Sequence, residues 1–215
     1  MNEDQTPVSV ALAQDGPPLG VNPSRSFAAA AFNPYGMLLE VFAASFPGHA
    51  SGFQPPTTFQ WAPHLGPLTW GEIGQPGPAA VMRVFRRWLE GLPGQPIFVA
   101  SLGGSESSGS QPPVFLSWYL NLFAEEGFRP PAVVDCQAVA MGLLGRDYLG
   151  SGEGQWPEEW FKVVGQPLTP PELGQVGLDQ LVGAAIGQGR AFCAMGTEAE
   201  LLRSRRPPAE RARPE

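Results

Sequence analysis

Few side chains in this sequence are equipped for chemistry, and the first question is whether any of them are spaced to act together. His49 and His64 are the two histidines, Cys136 and Cys193 the two cysteines. Each histidine stands alone in a Pro/Gly stretch, "FPGHAS" and "APHLGP", where an exposed imidazole is the simplest reading. The cysteines lie in apolar sequence without the spacing of a metal site or a disulfide framework, and read as small buried residues. "SLGGSESSGS" (101–110) is rich in Gly and Ser, yet no Gly-Lys-Ser/Thr follows it, so it is not a phosphate-cradling loop. Among the acids, Asp135 closes one apolar run and opens another, the position of a helix N-cap. Asp179 stands in the same way at the start of the last helical run, and Glu40 falls in mid-strand, suited to solvent or a nearby Arg.

The elements that would position these groups follow in a clear succession. "FAAAAFNPYGMLLEVFAASF" (27–46) is two apolar runs joined by Asn-Pro-Tyr-Gly, so Phe27–Phe32 and Met37–Phe46 are expected as adjacent antiparallel strands. "TTFQWAP" (57–63) has the β-branched and aromatic content of a third strand. "PAAVMRVFRRWLEGLPG" (78–94) is a helix with Val81, Phe85, Trp88 and Leu92 on one stripe, opened by Pro78 and closed by Gly91 or Gly94. "PIFVAS" (96–101) is a short, wholly apolar strand, as expected where both faces are covered. A helix over 114–127, a strand over 131–135, a helix over 136–145, an irregular stretch over 146–172 and a Gly-weakened helix over 178–195 complete the chain. Trp118, Tyr119 and Phe123 follow helical spacing and are expected in the core rather than as a platform for stacked bases. Residues 1–24 are polar and Pro/Gly-punctuated, and 201–215 are rich in Arg and Pro, so both ends are expected to be disordered around a single domain over 25–200. Three antiparallel strands followed by α-β-α-β-α make an α/β fold: a mixed sheet with helices on both faces, of ribonuclease H-like architecture.

Six pieces occur in a telling order: "PYGML", "FVA", "WYL", "VVDCQAVAMGLL", "WPEEWF" and "AAIGQGRAFCAM". Over about residues 25–195 they resemble the bacterial 3′–5′ exoribonucleases of the proofreading-exonuclease superfamily, which share the ribonuclease H-like fold. The resemblance implies a reaction in which two divalent ions, usually Mg²⁺, activate a water and stabilise the leaving oxygen at phosphorus. Mg²⁺ demands several oxygen ligands in near-octahedral geometry. The family supplies them as an Asp-x-Glu pair on the first strand, an Asp at the start of the helix after the fourth strand and an Asp on the last helix. A His five residues before that last Asp serves as general base.

This sequence departs from the pattern at each place. Taking Phe27–Phe32 as the first strand, the acidic pair falls on Ser24 and Ser26 or, with a gap, on Ala28 and Ala30; no acid occurs between Asp15 and Glu40. The second-motif Asp falls on Pro112, the last Asp on Ala184, and the His on Asp179. No metal site and no catalytic residue are therefore expected, and the resemblance implies a degenerate exonuclease-like domain that binds rather than cuts. The alternative is an active 3′–5′ exonuclease on single-stranded RNA or DNA, dependent on Mg²⁺ or Mn²⁺, with a site rebuilt from Glu106, Asp135 and Asp179.

Charge points to the class of partner. The formal charge is −7, but Arg203, Arg205, Arg206, Arg211 and Arg213 sit in the last thirteen positions, leaving 8 basic against 18 acidic residues, a balance of −10, in residues 1–200. Phosphate backbones bind through basic surface, so a protein partner is expected ahead of a nucleic-acid end unless Arg83, Arg86, Arg87 and the tail form a local patch. A homodimer is plausible from the resemblance. The N-terminus starts acidic and sustains no apolar core of a signal peptide, and no stretch approaches the length of a membrane span. A cytoplasmic protein with no membrane association is expected.

Overall fold

A computed structural model of the 215-residue chain describes residues 4–14, 24–45, 58–62, 66–70, 78–100, 112–123, 128–145, 156–161 and 178–205. They form a mixed sheet of seven strands: β1 (Gln5–Gln14), β2 (Ser24–Phe32), β3 (Leu38–Ser45), β4 (Thr58–Ala62), β5 (Gly66–Trp70), β6 (Gln95–Val99) and β7 (Ala132–Val134), in the spatial order β5-β4-β3-β2-β1-β6-β7. β1 to β5 pair antiparallel in sequence order, whereas β6 runs parallel to β1 and β7 parallel to β6. Four helices, α1 (Pro78–Gly91), α2 (Pro112–Phe123), α3 (Cys136–Leu144) and α4 (Leu178–Arg205), and a 3₁₀ turn, Glu158–Phe161, cover it.

The expected α/β organisation with a mixed sheet is present, and one strand changes its numbering. The N-terminal segment expected to be disordered holds β1, which lies near the middle of the sheet, Val8–Gln14 against β2 and Gln5–Ser9 against β6. The strand read from sequence as the first is the second. Two features conceal β1. Its outer residues are polar, and Pro7 argues against an interior strand. Pro7 is tolerated because the β2 ladder begins only at Val8. The edge strand β5 was not foreseen either, and the last helix runs ten residues beyond Met195, into the segment expected as a disordered tail.

The pleat divides the core by parity. Val8, Val10, Phe27, Ala29, Ala31 and Phe42 face α1 and α2, packing on Val81, Phe85, Trp88, Leu89, Leu116 and Leu120. Phe85 is the hub, its ring 5.0 Å from Phe27, 5.1 Å from Phe42 and 6.3 Å from Phe98. The other parity, Ala11, Ala28, Ala30, Phe32, Val41 and Ala43, meets Leu178, Val182, Ala185 and Ile186 of α4. Toward β6 the same face continues through Ile97 and Val99 onto Cys136, Trp160, Phe192 and Met195.

The run of four alanines has a structural use on this second face. Small side chains on β1 and β2 let α4 approach closely, and the buried hydroxyl of Ser9 donates to the Ala185 carbonyl. Gly189 continues the approach over the fully buried ring of Phe32, where a Cβ would fall 2.0–2.8 Å from ring carbons. On α2 the stripe facing the sheet is Phe115, Leu116, Tyr119 and Leu120, which leaves Trp118 51% exposed. Tyr119 is therefore in the core as expected and Trp118 is not. Among the described residues no helix is long and apolar enough to cross a membrane.

Candidate functional site

Two places merit comparison: the positions marked by the sequence pattern, and a groove that the pattern did not mark. Ser24, Ser26, Ala28 and Ala30 all belong to β2, not to the opening strand. Ala28 and Ala30 are fully buried against α4, and Ser26 is half-buried. β1, which takes over as first strand, reads Gln-Thr-Pro-Val-Ser-Val-Ala-Leu-Ala-Gln and carries no carboxylate of its own. Pro112 opens α2, as its missing N–H permits at a first helical position. Asp179 and Ala184 are both exposed on the first turns of α4. Asp179 lies in the first turn, where its charge complements the helix dipole.

The three acids of the rebuilt site are not shown converging. Glu106 lies outside the described residues, as do His49 and His64. Asp135 is the N-cap of α3, its Oδ1 accepting from the backbone N–H groups of Gln137 at 2.9 Å and Ala138 at 3.1 Å. Among the described residues no three His, Cys, Asp or Glu side chains gather as a metal site. Glu40, expected to meet an Arg or solvent, is half-buried and accepts from the Trp88 indole N–H at 2.9 Å. Nor do the helix-α1 arginines form one free patch. Arg83 and Arg87 are exposed, while Arg86 pairs with Glu90 at 2.7 Å and lies over the ring of Phe128.

The groove, about 660 Å³ in volume, is walled by the β2–β3 turn, the 3₁₀ turn and the C-terminal half of α4. That size is typical of a binding cleft. Each wall is rigidly built. Asn33 Oδ1 accepts from the N–H groups of Tyr35 and Met37, and Gly36 closes the turn with a φ of +83°. A Cβ at Gly36 would also meet the Cys193 Cβ at 3.2 Å, so the turn sits directly on α4. The braced turn presents Tyr35 and Met37, 76% and 63% exposed. On the opposite wall Trp160 is buried, stacked at 6.3 Å on Trp156, and donates its indole N–H to Glu198 Oε2 at 2.7 Å. That bond ties the 3₁₀ turn to α4. Arg190, Thr197, Leu201, Leu202 and Arg205 complete the α4 side.

The one thiol in the groove is inert. Burial pushes the Cys193 thiol up to about 12, and burial pushes Cys136 higher still, with the neighbouring Asp135 charge and Cys193 adding to it. Both stay protonated at neutral pH, and a thiol rather than a thiolate is a poor nucleophile. The groove therefore offers aromatic and aliphatic surface edged with both signs of charge. Sequence reading missed it because its walls come from three distant segments; the helical spacing of Glu198, Leu201, Leu202 and Arg205 was the one local signal. No family model matches this sequence, and no curated protein matches it either.

Proposed function

We propose that this chain is a ribonuclease H-like, exonuclease-type domain that no longer cuts phosphodiesters and serves as a binding protein, with a protein as its partner. The observation that carries the reading is the order of five adjacent strands, β3-β2-β1-β6-β7, with β2 antiparallel to β1, and β6 and β7 parallel to it. Such a sheet, flanked by helices on both faces, supports the descent implied by the sequence motifs. Descent does not fix activity, which depends on the site. A two-ion mechanism on this scaffold needs carboxylates on β1, at the start of α2 and on α4. The corresponding residues are an acid-free strand, Pro112 and Ala184, and Asp179 replaces the general-base His.

A protein partner is favoured over nucleic acid on two grounds. The body of the chain, at −10 over residues 1–200, repels phosphate backbones. The groove between the β2–β3 turn and α4 is edged by exposed Tyr35, Leu201 and Leu202 and carries opposite charges on its rim. Incubating the purified protein with end-labelled short RNA and DNA single strands, in Mg²⁺ and in Mn²⁺, tests the reading. No shortening above background is expected. Chelator-sensitive trimming that disappears in Asp179→Ala would establish the active alternative instead.

A further inference from the structure

Along α4 the residues that line the groove form one unbroken stripe. Arg190, Ala194, Thr197, Leu201 and Arg205 follow one another at intervals of three and four, the spacing of a single helix face. At 1.5 Å per residue the stripe is about 22 Å long, or about four turns. Its charges alternate. Arg190 stands at one end and Arg205 at the other, while Glu198 lies at the middle, with Glu159 close by on the 3₁₀ turn that Trp160 fastens to Glu198. The Trp160 indole is a neutral donor, so its bond leaves the charge of Glu198 in place. Among the described residues neither arginine has a carboxylate within ion-pairing distance. We infer that the groove receives an amphipathic helix of another protein, one with an acid at each end of its apolar face and a base at the centre. The inference rests on the reading of this chain as a protein-binding domain and names the kind of partner.

The floor of the groove suits a helix. Ala194 is small, and Thr197 turns its hydroxyl back onto the Cys193 carbonyl at 3.2 Å, so a second helix axis can come near. Further along, Leu201 and Leu202 are 53% and 42% exposed, and the exposed ring of Tyr35 stands on the facing wall. These side chains supply the apolar contact that holds an amphipathic helix in a groove. The order of charges then selects among occupants. A nucleic-acid strand, negative throughout, is repelled at the centre. A second copy of α4 laid antiparallel in register brings Arg190 against the Arg205 of the other copy, and laid parallel it sets each arginine against its own counterpart. Neither answers the order plus, minus, plus. A helix reading minus, plus, minus at intervals of about seven residues answers it in either direction.

The test is the fluorescence anisotropy of two labelled synthetic peptides titrated with the full chain. Both are helix-stabilised, about four turns long and identical in composition, with leucines along one face. In the first, glutamates stand at the two ends and a lysine at the centre. In the second, the lysine is exchanged with the last glutamate. The natural chain should bind the first roughly tenfold or more tightly, since the exchange turns two favourable charge pairs into unfavourable ones. Arg205→Glu, on the exposed last turn, and Arg190→Glu should each abolish this preference, and an unchanged melting temperature verifies that the variant is folded. A natural chain that binds neither peptide, that binds both alike, or that keeps its preference in Arg205→Glu would overturn the inference. A chain that trims RNA yet shows the peptide preference would overturn the non-cutting reading while supporting the helical partner.

Discussion

Cys136 and Cys193 are buried, one at the start of α3 and one under the β2–β3 turn, and both thiols are held protonated by the loss of solvent around them. Their burial was legible from apolar sequence context; its consequence for stability needs the structure. A thiol in the unfolded chain ionises near its ordinary value of 9, whereas in the folded chain Cys193 does so only at about 12. Above pH 9 the folded state therefore holds more protons than the unfolded state, and stability must fall as pH rises. The contribution is complete below pH 9 and is lost progressively toward pH 12, at about 1.4 kcal/mol per pH unit for each thiol. Melting temperatures measured from pH 7.5 to 10.5 should be level at first and then decline. Cys193→Ala should reduce the slope of the decline. An identical slope in Cys193→Ala would show that other groups govern alkaline stability. Glu40 teaches a different lesson at the same scale. An acid in mid-strand reads as a residue for solvent or an Arg, and this half-buried one also serves the indole of Trp88, which arrives from α1 forty-eight positions later and which no local pattern could announce.

At the scale of elements, what sequence disclosed was whatever is decided locally. The 27–46 hairpin, the stripe of α1 and the cap of α3 each depend on residues within a few positions of one another, and each is present. Asp135 is the clearest case, since its carboxylate satisfies two backbone N–H groups that the first turn of α3 would otherwise leave without partners. Asp135→Ala should destabilise the protein by about 1 kcal/mol, and Asp135→Asn by much less because the amide oxygen also accepts. For a chain of this size the loss corresponds to a fall of about 2–4 °C in melting temperature. Equal losses for the two variants would mean that the negative charge, not the cap, is what matters. The misses were of another kind. β1 is covered on both faces, by α1 and α2 on one side and α4 on the other, so it lacks the polar–apolar alternation that betrays a half-exposed strand. The C-terminal turns of α4 carry good helix formers in "EAELLRSR", but without a core-facing stripe they passed for a tail. The candidate site was legible only as a deficit of acids at motif positions, whereas the groove is assembled from residues 35–36, 157–160 and 190–205 and exists only in three dimensions.

For the whole molecule, β1 decides whether there is one sheet or two. β2 to β5 form an antiparallel half and β6 and β7 a parallel half, and among the described strands the ladder passes from one half to the other only through β1. The strand is held beyond its ladders as well. The Thr6 hydroxyl donates to the Pro93 carbonyl, the N–H of Gln95 donates to the Asp4 carbonyl at 2.7 Å, and Ser9 reaches α4. Removing residues 1–14 would strip a fully buried Val8 and Val10 from the face under α1 and α2, and Ser9 and Ala11 from the face under α4. Each buried valine alone is worth about 1.5–3 kcal/mol. Adding the stranded hydrogen-bonding edges of β2 and β6, the loss is of the same order as the 5–15 kcal/mol that holds a typical domain together. The shortened chain should thus be insoluble or lack a cooperative melt, although composition alone would class the missing piece as a disordered end. A shortened chain that melts cooperatively within a few degrees of the full one would remove β1 from the sheet. It would also remove the strand order on which the exonuclease-like reading stands, because β1 is the strand that pairs with both β2 and β6. Folding and functional reading are in this way tied to the same ten residues, and one truncation examines both.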